Sequence, residues 1–211
     1  MKREIEWSKD IGMFNINRSI PESCVHATDF CRSGCYNTKL YRIYPAMAGK
    51  DIRNEEQWKH CSGEDVAKAL KAKRQQTRRA RLMGRGEAFA TCEDVARVVD
   101  IAKATPGTLW WVPTRGWRDP VIRALIERHV MPLENVVVLA STDPTNTQEE
   151  EDDLTASGWS LMYFGNDAER PGWFKCPKTW KGLKGHCGIC KAGCFAPRVL
   201  DRQVKVHLKS H

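Results

Sequence analysis

Short apolar or alternating runs recur along this chain. Each is followed by a polar loop and then by a segment with apolar residues every three or four positions. Phe14-Asn15-Ile16-Asn17-Arg18-Ser19-Ile20 alternates like a strand and is stopped by Pro21. Ala80 to Met83 enters a second strand, and Thr108 to Val112 (TLWWV) is a β-prone third. Val136 to Ala140 (VVVLA) is unbroken apolar sequence, the signature of a parallel strand buried on both faces. Ser160 to Phe164 is a fifth strand, and Val204 to Leu208 alternates like a closing one. Helical spacing lies between them. Leu40, Ile43, Tyr44 and Met47 share a face that Pro45 interrupts, and residues 51–60 form a polar helix anchored by Trp58. A basic helix with a thin apolar face runs from Asp65 to about Ala80. Another helix begins at Thr91 or Glu93 and ends at Ala104, and Asp119-Pro120 opens the next. The acidic run Glu149 to Asp153 reads as exposed loop or helix start. This βα rhythm predicts an α/β fold, a partial or open (β/α) barrel of about five to six mainly parallel strands. Residues 1–170 would form that domain. Residues 171–211, rich in Gly, Lys and Cys, would form a metal-binding segment packed on it.

Composition narrows the classes. At 41% hydrophobic, 211 residues can bury an ordinary core. No stretch approaches the apolar length of a membrane helix, and the N-terminus lacks a signal-peptide core, so no membrane association and a cytoplasmic location are expected. The net charge of +8 suits a nucleic-acid or nucleotide partner, and equally suits a merely soluble surface. Seven basic residues on the helix after Asp65 carry the same two readings, phosphate contact or a solvated face. Oligomeric state is not legible. The nine cysteines, an odd number in a reducing compartment, point to metal rather than to a disulfide framework.

The cysteines fall mainly in two groups. Cys24, Cys31 and Cys35 lie on the loop leaving the first strand, at the end of an α/β sheet where ligands bind. Three thiolates either take a fourth protein ligand or leave a position open for substrate or cofactor, and an open position marks a reactive site. Cys176, Cys187, Cys190 and Cys194 form the second group, with Cys187-Gly188-Ile189-Cys190 as a C-x-x-C knuckle. Four thiolates close a tetrahedral zinc site or hold an iron–sulfur cluster, and spacing alone does not choose between them. Basic neighbours such as Lys175 and Lys178 would offset the thiolate charge.

The loop ending Cys35-Tyr36 resembles the cysteine loop of the radical S-adenosylmethionine (SAM) superfamily, in which three cysteines hold a four-iron cluster and SAM takes the unique iron. Here the spacing is C-x6-C-x3-C where that superfamily has C-x3-C-x2-C. Gly84-Arg85-Gly86-Glu87 resembles its glycine-rich motif for the SAM amino group; the other reading is a plain turn. The chain is also similar to a family of phage and prophage proteins, the gene product 88-like proteins. That similarity rests on Cys31 to Tyr36, Gly86-Glu87, Thr114-Arg115, Ser141-Thr142-Asp143 and the cysteines from Cys176 to Cys194. The resemblances imply a [4Fe–4S] cluster, SAM as a further cofactor, and zinc as the alternative at the C-terminal site.

Parallel strands would bring the cysteine loop together with Glu87, Arg115, Asp143 and Asn166 or Asp167. In this reading Glu87, Arg115 and Asp143 are catalytic, as base or ammonium ligand, anion fork and hydroxyl orienter. Gly84, Gly86, Glu87 and Asn166 bind the cofactor. The opposing reading makes Arg115 and its carboxylates a salt bridge that ties the rim. Two functions follow: a radical-SAM-like enzyme acting on a nucleotide, nucleic acid or other anionic substrate, or a non-catalytic, metal-stabilised binding module.

Overall fold

The computed structural model describes residues 5–10, 13–72, 79–166, 170–180, 187, 190, 194 and 203–209. One open sheet organises them. Its strands are β1 (Ser8–Asp10), β2 (Met13–Ile16), β3 (Arg79–Leu82), β4 (Leu109–Thr114), β5 (Val136–Thr142), β6 (Ser160–Gly165), β7 (Phe174–Lys175) and β8 (Lys205–Lys209). Their order is β1-β2-β3-β4-β5-β6-β8-β7. Only β1 is antiparallel to its neighbour; the other seven strands run parallel.

Eight strands replace the five or six expected. The two additions, β1 and β7, are three and two residues long, too short to leave an alternating pattern. The open, parallel character agrees with the expectation. The strands of the C-terminal segment join this same sheet, β8 pairing with β6 from Leu161↔Lys205 to Gly165↔Lys209.

Helices cover one face. After β2 come α1 (Asp29–Ser33), α2 (Tyr36–Ile43), α3 (Pro45–Trp58) and α4 (Gly63–Ala72). One helix then follows each of the next strands: α5 (Cys92–Ala104), α6 (Pro120–His129) and α7 (Gln148–Ala156). Of the basic helix expected from Asp65 to about Ala80, residues 73–78 lie outside the described residues, and Arg79 and Ala80 belong to β3 instead, where Ala80 is buried in the core. Starts are set by local chemistry. Thr91 with Asp94 and Thr147 with Glu150 form capping boxes, and Asp119 caps α6 ahead of Pro120.

Period-two alternation divides each strand between two cores. Ile16, Leu82, Trp110, Val112 and Leu161 face the helices, together with Val98 and Ile101 of α5. Met13, Trp111, Val137, Leu139 and Met162 face the other way, against Cys187, Cys194 and Leu208. Trp110 and Trp111 therefore belong to opposite cores, and each is at most 6% exposed. Trp117 is core too, its indole N–H donating to the Ser141 carbonyl at 3.0 Å and its ring covered by the Arg118 guanidinium at 4.7 Å. The acidic run forms α7, and Glu151 within it is buried against Arg170 at 2.9 Å. The helices packed on the first core are α3 to α7; the C-terminal cysteines pack on the second core, and the first group lies at the strand exits beside Arg81 and Met162.

Candidate functional site

The first cysteine loop is fastened to the sheet by polar contacts. Thr28 caps α1: its hydroxyl accepts from the Cys31 N–H at 3.0 Å and donates to Asp143 at 2.6 Å, just past the end of β5. Phe30 packs edge-on against Phe164 of β6. Cys31 thus lies on a short helix whose first turn is pinned to β5. Cys35 precedes α2, and Cys24 sits on the turn before Thr28. All three half-buried thiols line one pocket, shared with Asn37, Arg81, Arg85, Glu87 and Arg115. Asn166, at the end of β6, is exposed and does not line it. Asp167 lies outside the described residues.

Charge around this pocket is paired. Arg115 meets Asp143 at 2.7 Å, and its positive charge acts on the Cys31 thiol. Burial pushes the Cys31 thiol up, and the Arg115 charge opposes that only in part. Cys24 is pushed up to about 12 by burial, then by the Glu87 charge and the two neighbouring thiols. Burial acts to raise the Asp143 carboxyl, but hydrogen bonds from Thr145 and Thr28 and the Arg115 charge outweigh it and hold the group below its ordinary range. Burial lowers Arg118, assisted by the nearby Arg115 charge. Three thiols lining one pocket are the ligand type that a thiophilic cation takes.

The motif after β3 works differently from its expected role. Glu87 is 6% exposed. Its carboxylate accepts from the Phe89 N–H at 3.0 Å, the Thr114 hydroxyl at 2.6 Å and the Arg115 N–H at 2.8 Å. It is thereby a strut between the β3 and β4 loops. Gly84 and Gly86 line the pocket, yet each also has a packing reason. A Cβ at Gly84 would come within 2.7 Å of the Asn17 amide oxygen. At Gly86, where φ is +82°, it would come within 2.5 Å of the Ser23 hydroxyl. The glycines let the β3 exit press against the chain that carries the cysteines.

Cys176, Cys187, Cys190 and Cys194 line a second pocket with Trp111 and Leu208. Arg79, at the start of β3, donates to the carbonyls of both Cys187 and Cys190 at 3.1 Å. Cys194 is pushed up to about 12, first by burial and then by the other three thiols. Of the lysines expected to offset these thiolates, Lys175 stands over the Trp180 ring at 4.9 Å. Lys181, Lys184 and Lys191 lie outside the described residues. Among the described residues, no group of three or more His, Cys, Asp or Glu side chains is arranged to hold a metal ion. Each thiol set lines the wall of its pocket instead.

A family profile described as Gene product 88 matches residues 3–180. The chain belongs to the Gene product 88 family. It is a phage-type family, and the match covers the sheet up to β7, the whole first cysteine loop and Cys176. Cys187, Cys190 and Cys194 lie beyond it. No curated protein and no solved structure matches the chain.

Several residues of this Gene product 88 rim were not singled out from sequence. Arg18 bridges Glu55 at 2.6 Å and Asp94 at 2.8 Å, and Asp94 also accepts from Trp58. Arg85, inside the glycine motif, pairs with buried Asp51 at 2.5 Å. These pairs clamp α3 to the rim. Asn15 and Asn17 sit at the polar positions of the β2 alternation, where solvent exposure is the ordinary reading, yet both are 1% exposed. Neither side-chain amide atom of Asn15 has a hydrogen-bond partner, nor has the Asn37 amide oxygen at the pocket. Met83, also on the pocket, has φ of +58°, a left-handed conformation that costs a non-glycine residue on the order of 1–3 kcal/mol. Its signal in the sequence is only its place directly before Gly84.

Proposed function

We propose that Cys24, Cys31 and Cys35 hold an iron–sulfur cluster, of the [4Fe–4S] type, at the C-terminal rim of the sheet. The protein would then be a radical-SAM-like enzyme acting on a nucleotide, nucleic acid or other anionic substrate. The C-terminal cysteine segment binds metal in the same reading. One observation carries the proposal: three thiols share a single pocket at the sheet's ligand-binding end, with Arg115 on the same wall.

The donor set supports this reading: three thiols on one pocket wall supply the ligand type that an iron–sulfur cluster takes. Thiols placed around a pocket suit a multi-atom cluster better than a single ion. The three-cysteine arrangement of the radical SAM superfamily, which this loop resembles, leaves one position for a further ligand. Bound, the cluster would supply single electrons to a cofactor such as SAM. The chain's own residues do the rest. Arg115 offsets thiolate charge at Cys31 while Asp143 fixes its fork. Thr28 holds the first turn of α1 in place. The Asn37 amide oxygen offers an acceptor to a ligand N–H or ammonium, and Arg81 on the pocket wall offers positive charge to an anionic group. Gly84 and Gly86 line part of this wall with backbone alone.

Anaerobic purification tests the proposal. A brown protein containing iron and acid-labile sulfide, which cleaves SAM after reduction, is the expected result. Loss of the colour in Cys31→Ala and Cys35→Ala but not in Cys61→Ala completes it. A colourless protein, or equal loss in Cys61→Ala, would overturn it.

A second reading has its own support. Glu87 and Asp143 are buried with their oxygens engaged, and Arg115 is bound to Asp143. Such a rim suits a zinc- or cluster-stabilised module that binds nucleic acid or protein without catalysis. Stoichiometric zinc with salt-sensitive nucleic-acid binding and no SAM turnover is the outcome that selects it.

A further inference from the structure

The two cysteine sets line different pockets, and the chemistry differs between them. The rim pocket is charged, with Arg81, Arg85, Glu87 and Arg115 on its wall. The C-terminal pocket, apart from its thiols, is walled by Trp111, Phe174, Pro177, Val206 and Leu208. No described residue lines both. Between them lies a stacked pair, the Arg81 guanidinium 4.4 Å from the centre of the Trp111 ring. Arg81 belongs to the rim pocket and Trp111 to the C-terminal one, so this pair is the partition.

We infer that Cys176, Cys187, Cys190 and Cys194 form a second, coordinatively closed four-thiolate metal centre, separate from the rim set. This inference rests on reading the C-terminal cysteines as metal-binding, but not on the rim cluster. Four thiolates complete a tetrahedral site or a four-iron cluster with no position left for substrate. Among the described residues the wall carries no charged side chain, and its one polar group besides the thiols is the Trp111 indole N–H, so a charged substrate finds no counter-charge there. Arg79 fixes the knuckle by gripping the Cys187 and Cys190 carbonyls from β3. The Cys176 N–H donates to the His207 carbonyl of β8 at 2.9 Å. A metal here would fasten the β7–β8 edge to β3 across the sheet and back the Trp111–Arg81 partition. The ligand is a thiophilic metal, either zinc or an iron–sulfur cluster.

Cysteine protection in the full-length, metal-loaded protein tests this. Alkylation with iodoacetamide, mapped by mass spectrometry, should find Cys176, Cys187, Cys190 and Cys194 protected together while exposed Cys92 reacts. Graded chelator should release the four as one group, at a concentration different from that which frees Cys24, Cys31 and Cys35. Zinc, iron and sulfide released in that step identify the metal. Cys190→Ser should remove only the C-terminal metal, and Cys31→Ser only the rim metal. Release of both sets in one step, or alkylation of the four at the Cys92 rate, overturns the inference. So does loss of rim metal in a folded Cys190→Ser protein. If Cys190→Ser does not fold, protection and release in the unmodified protein decide alone. Free alkylation of Cys24, Cys31 and Cys35 beside a protected C-terminal set would instead refute only the rim cluster.

Discussion

Replacing Glu87 separates a strut from a catalytic base. Its carboxylate receives three hydrogen bonds in a setting only 6% exposed. In Glu87→Ala the Thr114 hydroxyl keeps a partner, because it already accepts from the Gly116 N–H at 2.8 Å. The Phe89 and Arg115 N–H groups lose theirs. Two stranded buried donors at about 1–3 kcal/mol each give a loss of roughly 2–6 kcal/mol. That is a large part of the ~5–15 kcal/mol that holds an ordinary domain together. Glu87→Gln keeps one acceptor oxygen and strands one donor, so its loss should be about 1–3 kcal/mol. Urea unfolding followed by fluorescence of the eight tryptophans measures both, at equal metal content. A Glu87→Ala protein within ~0.5 kcal/mol of the parent that has lost its metal or its activity would refute the strut, and would return Glu87 to the ligand-facing role expected from its motif.

Gly86→Ala should destabilise by on the order of 1–3 kcal/mol, since it combines a left-handed φ with a contact on Ser23; an unchanged urea midpoint would contradict this. In metal-free protein at pH 8, Cys24, with its pKa near 12, has roughly one thiolate in ten thousand, so iodoacetamide should modify exposed Cys92 first. Cys24 labelling should then rise about tenfold per pH unit; a Cys24 rate equal to that of Cys92 at pH 8 would be inconsistent with burial. Asp143 is held below its unfolded pKa, so the unfolded chain takes up the proton first as pH falls. Its contribution is full above the ordinary carboxylate range and is lost as pH drops through the folded value. Urea midpoints measured downward from about pH 5 should decline less steeply in Asp143→Asn than in the parent.

The apolar pattern made the parallel strands and most helices legible, because β3, β4 and β5 each combine a buried run with a following capped helix. The short strands β1 and β7 carry no pattern to read. The gathering of cysteines with Glu87, Arg115 and Asp143 at one rim was also legible, since parallel strands send their exits to the same end. The roles were less so. Glu87 looked free because the sequence cannot show that Thr114 and the Phe89 and Arg115 amides point at it. Asn166 looked like a rim residue, but its exit leaves the side chain in solvent. The buried Arg18 and Arg85 pairs link residues 34 to 76 positions apart, and no local periodicity announces them.

The strands β2 and β3 are neighbours in the sheet, yet residues 17–78 lie between them, and that long excursion carries the first cysteine loop. From β3 to β6 each connection holds a single main helix. Closing the long excursion costs more chain entropy and brings together more distant partners than closing any of the short ones. The topology therefore predicts an order of assembly: β3 to β6 form the folding nucleus, and β2 docks late with its cysteines. Substitutions such as Val138→Ala should slow folding, whereas Thr28→Ala should chiefly hasten unfolding. A metal taken up during folding would then meet Arg115 and Asp143 already in position, with the thiols arriving last to close around it.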